Sequence, residues 1–370
     1  MIQSKTSQFL LSLAFMLVTC TFTFAQTVTT PRPSPNAILK QKIGLTEVTV
    51  NYSRPSVIRG TNDRTGQIWG NQVPYGLAAN NFGNQKPMPW RAGANENTII
   101  VFSTDVSVEG KSLAAGSYGL HMIPEESGNV TIIFSKNTSS WGSFWYDKSE
   151  DALRVDVQME DAPFTNVLTY EFTSFGNLEG ILALSWDDKT IPFKISTSQE
   201  VVLQSFRDEL RGMTGFGWRG ALSAAQYCFQ NNINHDEAIG WADASIANTK
   251  NAQNLSVKAG LLIQKGEKVE GIKVADEAAT MANLGQLNFL GYQMMGVQEY
   301  DKAIEYFKLN IKNNPTDANS HDSLGEAYMA KGDNKNAIKE FKKCLSMNPP
   351  QFVKANSIKN LKTLGVEHME

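Results

Sequence analysis

Two segments near the C-terminus repeat with an offset of 34 residues. "LNFLGYQMMGVQEYDKAIEYFKLNIKNNP" aligns with "NSHDSLGEAYMAKGDNKNAIKEFKKCLSMNP", so that Leu290-Gly291 meets Leu324-Gly325, Ala303 meets Ala337, Phe307 meets Phe341 and Pro315 meets Pro349. A fixed period of this length is a strong constraint. Each unit is one supersecondary element that cannot bury its apolar face alone and becomes stable only when stacked on its neighbours. The Leu-Gly pair and the Ala let two helices approach closely. The Phe plugs the gap between them, Tyr328 follows on the same helix as Leu324, and the Pro ends the second helix.

This is the period and residue pattern of tetratricopeptide repeats. The alanine position recurs upstream as Ala238 in "DEAIGWADASIAN" and as Gly271 in "GEKVEGIKVADEA", at spacings of 33, 32 and 34. Four helix pairs are therefore expected over residues 218–352, the first two divergent. Residues 353–370 are expected to hold a capping helix, "SIKNLKTLG", with its polar face outward, and a tail. Asn310 stands where the family usually has a small residue, which predicts a slightly loosened third pair. Cys344, at the same place in the fourth pair, reads as a small core residue rather than a redox group. Residues 299–370 hold 11 Lys and 10 acidic residues, which describes a solvated surface and not a basic stripe.

Upstream of residue 198 the period changes to two. "EVTVNYS", "TIIVFS", "GSYGLHMIP", "NVTIIFS", "LRVDVQM", "NVLTYEFTSF", "GILALSW" and "TIPFKIS" are short alternating runs, separated by turn residues such as "EGK", "EESGN" and "DDK". About nine or ten strands at this spacing predict an antiparallel β-sandwich or barrel-like domain over residues 38–197. No amphipathic helix of 10–15 residues separates them, which excludes a parallel α/β sheet. Residues 198–217 read as a helix, N-capped by Ser198 and ending near Gly212, then a Gly-rich connector that is either a hinge or a tight turn.

The first 25 residues carry Lys5 and then an uncharged run, "FLLSLAFMLVTCTFTFA", the pattern of a cleaved signal peptide with small Thr23 and Ala25 before a cut at Gln26. Cys20 follows Thr19, where a lipidation motif wants Gly, Ala or Ser, so ordinary cleavage is expected rather than an anchor. Residues 26–37 form a Pro- and Thr-rich extended leader. Export to a Gram-negative periplasm or beyond follows, with no later span. The mature chain has 33 basic and 37 acidic residues, an acidic balance that argues against a nucleic-acid partner. Only Cys228 and Cys344 remain, in separate helical repeats, so the core and not a disulfide must hold the fold.

Groups able to do chemistry are sparse. His121 is the one histidine of the β-half. Neither half has paired His, paired Cys or a carboxylate cluster at ligand spacing, nor a Gly-rich phosphate loop, so no metal and no cofactor is expected. What stands out is a loop-borne set: Arg54 at a strand end, "WRAGANE" with Trp90, Arg91, Asn95 and Glu96, and "WGSFWYD" with Trp141, Trp145, Tyr146 and Asp147. Guanidinium groups and flat aromatic platforms on a rigid β-scaffold suit a carboxylate, a sugar or a peptide end. In the alternative, Arg54 or Arg91 pairs with Glu96 or Asp147 and stitches the loops shut, with the tryptophans in the core.

"SPNAILKQKIGLTEVTVNYSRPSV", "IWGNQVPYG", "WRAGANENTIIVFSTDVSVEGKSLAAGSYGLHMIP", "WGSFWYD" and "DALRVDVQ" resemble the domain-of-unknown-function 2911 family. The resemblance runs from about Ser34 to Thr197 and implies an exported bacterial β-domain that some members follow with tetratricopeptide repeats. It brings no established activity. Members usually pass from the Pro-Tyr-Gly motif almost directly into Trp-Arg, whereas here Leu77 to Pro89, "LAANNFGNQKPMP", intervenes. That insertion is expected to cover or reshape the Trp-Arg loop.

Three functions follow as expectations. The first is a non-enzymatic envelope scaffold whose repeat groove holds a protein or peptide partner, with the β-domain as a second recognition module. The second is a glycan- or small-ligand-binding β-sandwich using Trp90, Trp141 and Trp145. The third is a hydrolase or isomerase built on His121, Arg91 and Glu96.

Overall fold

The computed structural model describes residues 30–366. The signal-peptide expectation and the cut before Gln26 lie outside the described residues. The chain divides into two compact units between Val201 and Val202.

In the first unit the period-two pattern forms two antiparallel sheets. The larger runs, in spatial order, β1 (Asn36–Ile43), β2 (Thr46–Ser53), β5 (Ile99–Phe102), β8 (Gly116–Pro124), β9 (Asn129–Ser135) and β10 (Asp151–Gln158). The smaller runs β11 (Glu160–Phe175), β12 (Glu179–Ser196), β6 (Val106–Val108) and β7 (Lys111–Leu113), while β3 (Ile58–Arg59) and β4 (Asn62–Asp63) make a small separate hairpin. The register sets Val48 opposite Phe102, Val50 opposite Ile100 and Leu120 opposite Phe134. These side chains face one way and pack against Leu182, Leu184, Trp186 and Phe193 of the other sheet, which makes the unit a sandwich. Burying each such side chain contributes about 1.5–3 kcal/mol.

Two local expectations are corrected. The leader ends two residues earlier than residue 37, because the strand begins at Asn36. Chain from Asn36 pairs with β2 through eight residues. Only one face of this edge strand is covered, with Ala37 and Leu39 packed against the core while Ile38, Lys40 and Lys42 are exposed; Ile38 on the open face and Gln41 on the covered one blur its alternation in sequence. Likewise "DDK" is not a turn between two strands. β12 continues for 18 residues through Asp187, at φ 55°, which pairs with Thr165, and the register shifts on both sides of that pair place the extra residues in β11. The Asp187 carboxylate accepts the Gly66 N–H at 3.1 Å, which ties the irregular 54–98 segment to β12.

α1 (Gln199–Glu209) begins just before the second unit and is followed by a 3-10 turn, Met213–Phe216. The connector is a tight turn: a Cβ on Gly215 would stand 2.0 Å from the Leu210 carbonyl oxygen. Four helix pairs follow: α2 (Trp218–Asn231) with α3 (His235–Asn248), α4 (Ala252–Lys265) with α5 (Lys268–Met281), α6 (Leu284–Gly296) with α7 (Tyr300–Asn313), and α8 (Ala318–Lys331) with α9 (Asn334–Ser346). Asn251 and Asn283 start α4 and α6 with reciprocal capping boxes, and left-handed Gly266 and Gly332 end α4 and α8. Ala238, Gly271, Ala303 and Ala337, the repeated small position, are all buried on the second helix of their pair. Leu290, Leu324, Phe307 and Phe341 are buried beside them, Tyr328 is half-buried, and Pro315 and Pro349 stand just beyond the ends of α7 and α9.

Two details of the array differ from expectation. The third pair is not loosened at Asn310. That side chain is fully buried, and its amide donates to the Leu284 carbonyl at 3.1 Å, so the polar group fills the position without an orphaned donor. The last helix, α10 (Gln351–Thr363), starts directly after Pro350, and its polar residues do not all face outward. Ser357 is buried and donates to the Asp322 carboxylate. No helix among the described residues is long and apolar enough to cross a membrane.

Candidate functional site

The Trp90–Asn97 segment is held from several sides. The Trp90 backbone exchanges two hydrogen bonds with Met122 of β8, at 2.9 and 2.8 Å. Its ring stacks on Trp186 at 6.2 Å and meets Trp69 edge-on at 5.8 Å. Ala92 is fully buried with a φ of 50°, and its carbonyl accepts from Tyr170 Oη at 2.9 Å and Thr98 Oγ1 at 3.2 Å. Asn95, at φ 61°, donates from its side chain to the Ser34 carbonyl at 3.1 Å. A non-glycine residue in this backbone region costs about 1–3 kcal/mol and persists only where its surroundings enforce it.

The turn places Arg91. Its Nη1 donates to the Asn95 carbonyl, and its guanidinium carbon lies 4.9 Å from the centre of the Phe144 ring. It also lies flat on Gly142, where an added Cβ would stand 2.2 Å from Arg91 Cζ. No carboxylate of the described residues stands within ion-pair distance of it. Burial alone lowers its pKa, without changing its charge at neutral pH.

Arg91 opens on a cleft of about 390 Å³. Trp90, Arg91 and Asn95 line it from one segment, and Gln72, Pro74 and Met88 from the segment before it. The insertion at 77–89 therefore contributes Ala78, Met88 and Pro89 to the lining. Ala78 and Met88 exchange backbone hydrogen bonds at its neck. Asn80 and Asn84 donate to the Phe144 and Tyr146 carbonyls at 2.9 and 2.8 Å, strapping the insertion to the "WGSFWYD" loop.

The other expected residues are dispersed. Glu96 pairs with Arg32 beside a separate hollow of about 270 Å³. Arg54 joins the two sheets, donating to the Leu168 carbonyl at 2.9 Å and Thr169 Oγ1 at 2.6 Å. Asp147 pairs with Lys86 at 2.8 Å. Neither arginine thus makes the stitching pairs that the sequence allows for it. Trp141 and Trp145 are half exposed, at 50% and 51%, whereas Trp90 packs against the core. His121 lies on the outer face of its sheet, buried under the 137–147 loop, with Nδ1 2.9 Å from Ser143 Oγ and the Tyr146 ring at 5.6 Å. Burial, and then the Arg91 charge, push its pKa down to about 3, so the imidazole is neutral near pH 7. His121, Arg91 and Glu96 share no hydrogen bond, and the simple three-residue catalytic arrangement is not formed.

Sequence reasoning missed Gly142, Ser143 and Phe144 as the bed for Arg91 and His121, and the Tyr146–Asp151–Arg154 cluster beside them. In that cluster Tyr146 Oη donates to Asp151 at 2.9 Å and Arg154 Nε donates to the same oxygen at 2.6 Å. The available signal was the glycine set between aromatics in "WGSFWYD". No group of three or more His, Cys, Asp or Glu that could hold a metal occurs among the described residues.

The repeat unit carries a second polar feature. The first helices of successive pairs lie side by side, and α6, α8 and α10 share a hydrogen-bonded ladder. Ser323 donates to Asn288 at 2.8 Å, Tyr292 to Glu326 at 2.7 Å, and Asn356 to both Glu326 and Asp322 at 2.7 Å. The Asn360 amide approaches Glu326 at 3.4 Å. These side chains are held in fixed orientations across three helices while most remain partly solvent-exposed.

An antiparallel β-sandwich followed by a helix-pair array defines a two-part chain with a repeat scaffold at its end. Residues 34–195 match the family described as "Protein of unknown function (DUF2911)", and residues 318–351 match the tetratricopeptide repeat, in that order. Among solved structures, a crystal structure of MamA is 21% identical, with 40% of this chain and 88% of that one covered and a TM-score of 0.30. MamA from Desulfovibrio magneticus RS-1 is 16% identical, covering 42% and 90%, with a TM-score of 0.27. YrrB, described as a TPR protein with an unusual peptide-binding site, is 14% identical, covering 44% and 84%, also at 0.27. No curated protein matches the chain.

Proposed function

We propose that this protein is an exported interaction scaffold of the cell envelope. Its repeat array holds a protein or peptide partner along the face of α6, α8 and α10, and the β-unit is a second recognition module. The observation that carries this reading is the ladder through Asn288, Tyr292, Ser323, Glu326 and Asn356. Its amide, hydroxyl and carboxylate groups are oriented before any partner arrives, and preorganised groups lower the entropic cost of binding. A polar face of this kind matches an extended peptide, whose backbone offers donors and acceptors along its whole length. The match of residues 318–351 to the tetratricopeptide repeat supports the same reading. Export rests on the uncharged run from Phe9 to Ala25.

Affinity capture from envelope extract with the full mature chain tests the scaffold. The same partner is expected with wild type and with an Arg91→Gln variant, and is expected to be lost with Tyr292→Ala/Asn360→Ala. No enriched partner, or a partner retained by a folded Tyr292→Ala/Asn360→Ala variant, overturns the reading.

A further inference from the structure

We propose that the cleft of the β-unit between the Trp90–Asn95 turn and the 72–89 segment binds an organic carboxylate with an apolar body, and that Arg91 is its anchor.

The argument starts from charge. Among the described residues, Arg91 is the only ionisable one that lines this cleft, and no carboxylate of theirs neutralises it. A half-buried guanidinium has lost part of its hydration, and without a fixed counter-charge it favours an incoming anion. One N–H is used by the Asn95 carbonyl, itself on the cleft wall, so most of the five donors of the fork stay free of protein partners.

The mount is built for position. The guanidinium is set against the Phe144 ring and the bare backbone of Gly142, and two left-handed residues, Ala92 and Asn95, shape the turn that carries it. A cation needed only for solubility would require none of this. The planar fork suits the two oxygens of a carboxylate. Pro74, Met88 and Trp90 supply apolar lining. A single cation among apolar walls fits a monoanion with an apolar body better than a phosphate dianion, which calls for more positive charge or a cluster of backbone N–H groups.

The same chemistry is offered by a free organic acid or by the C-terminus of a peptide. The inference concerns the β-unit alone and stands or falls independently of the repeat face.

Calorimetric titration of the full mature chain tests it with two matched pairs: benzoate against benzamide, and N-acetyl-Gly-Phe with a free against an amidated C-terminus. Binding of a carboxylate member without its neutral partner is expected. Binding of both acids points to any accessible carboxylate, of the dipeptide acid alone to a peptide end, and of benzoate alone to a small free acid. Arg91→Gln is expected to weaken binding at least about tenfold, and Arg91→Lys to recover only part of it. Ala94→Phe, which fills the cleft and leaves Arg91 in place, is expected to block binding while melting as wild type. Failure of both acids to bind, equal binding of acid and amide, or full affinity in folded Arg91→Gln overturns the proposal.

Discussion

The Phe307 ring occupies the space that a Cβ on Gly291 would need, 2.4 Å away, and Phe341 stands over Gly325 in the same way at 2.6 Å. The two contacts are one structural device repeated after 34 residues. Helix propensity alone favours Ala over Gly by about 1 kcal/mol inside a helix. Overpacking a filled core costs about 1–3 kcal/mol. Gly325→Ala is therefore expected to destabilise the protein, and Gly325→Ala/Phe341→Leu to recover part of the loss. Chemical denaturation checks the sign; a stabilised Gly325→Ala would mean that the ring moves freely aside.

Asn310 fills its pair with a hydrogen bond where a small residue would fill it with close packing. Asn310→Ala removes the donor to the Leu284 carbonyl and leaves a buried hole. A loss of about 1–3 kcal/mol is expected in urea unfolding. An unchanged midpoint would show that the carbonyl finds another donor.

His121 ties stability to pH. Its folded pKa, about 3, lies below the ordinary value of 6.5, so the unfolded chain takes up a proton across this window and the folded chain does not. Its contribution is fully present above pH 6.5 and is lost progressively as the pH falls toward 3. Arg91 adds to the shift, and Ser143 and the Tyr146 ring enclose the imidazole. The wild-type urea midpoint is expected to fall more steeply between pH 7 and pH 4.5 than that of His121→Gln. Parallel profiles would show that the site opens and hydrates before it titrates.

Gly142 permits the seat of Arg91. Its φ is 59°, and a Cβ there would collide with the guanidinium. Gly142→Ala is expected to cost about 1–3 kcal/mol and to weaken carboxylate-probe binding without removing any charged group. Normal affinity in the variant would mean that Arg91 reaches the cleft by another route.

Export gives a direct chemical expectation. Mass spectrometry of the protein from the native envelope should find Gln26 as the first residue. Retention of Met1 in cell-envelope material, or a lipid on Cys20, would correct the cleavage site and the anchoring together.

Periodicity made much of the fold legible. A 34-residue offset is set by the length of two helices and two turns, and so it places Ala303, Ala337, Phe307 and Phe341 by itself. Period-two alternation likewise marks strands with one covered face. It is weak at β1, where Ile38 stands on the exposed face and Gln41 on the covered one, and misleading at Asp187, where β12 runs on through turn-like residues.

By itself the sequence determined the order of the two halves, the strand character of the first, and the helix-pair packing of the second, because each depends on contacts between residues at fixed local spacing. Only the tertiary structure decided which charges meet. Arg32 takes Glu96, Lys86 takes Asp147, Arg54 bonds to β11, and Arg91 is left with a carbonyl, a ring and a glycine. Those pairings join residues up to 115 positions apart. They follow from how loops converge on a finished sandwich, and no local pattern records that convergence.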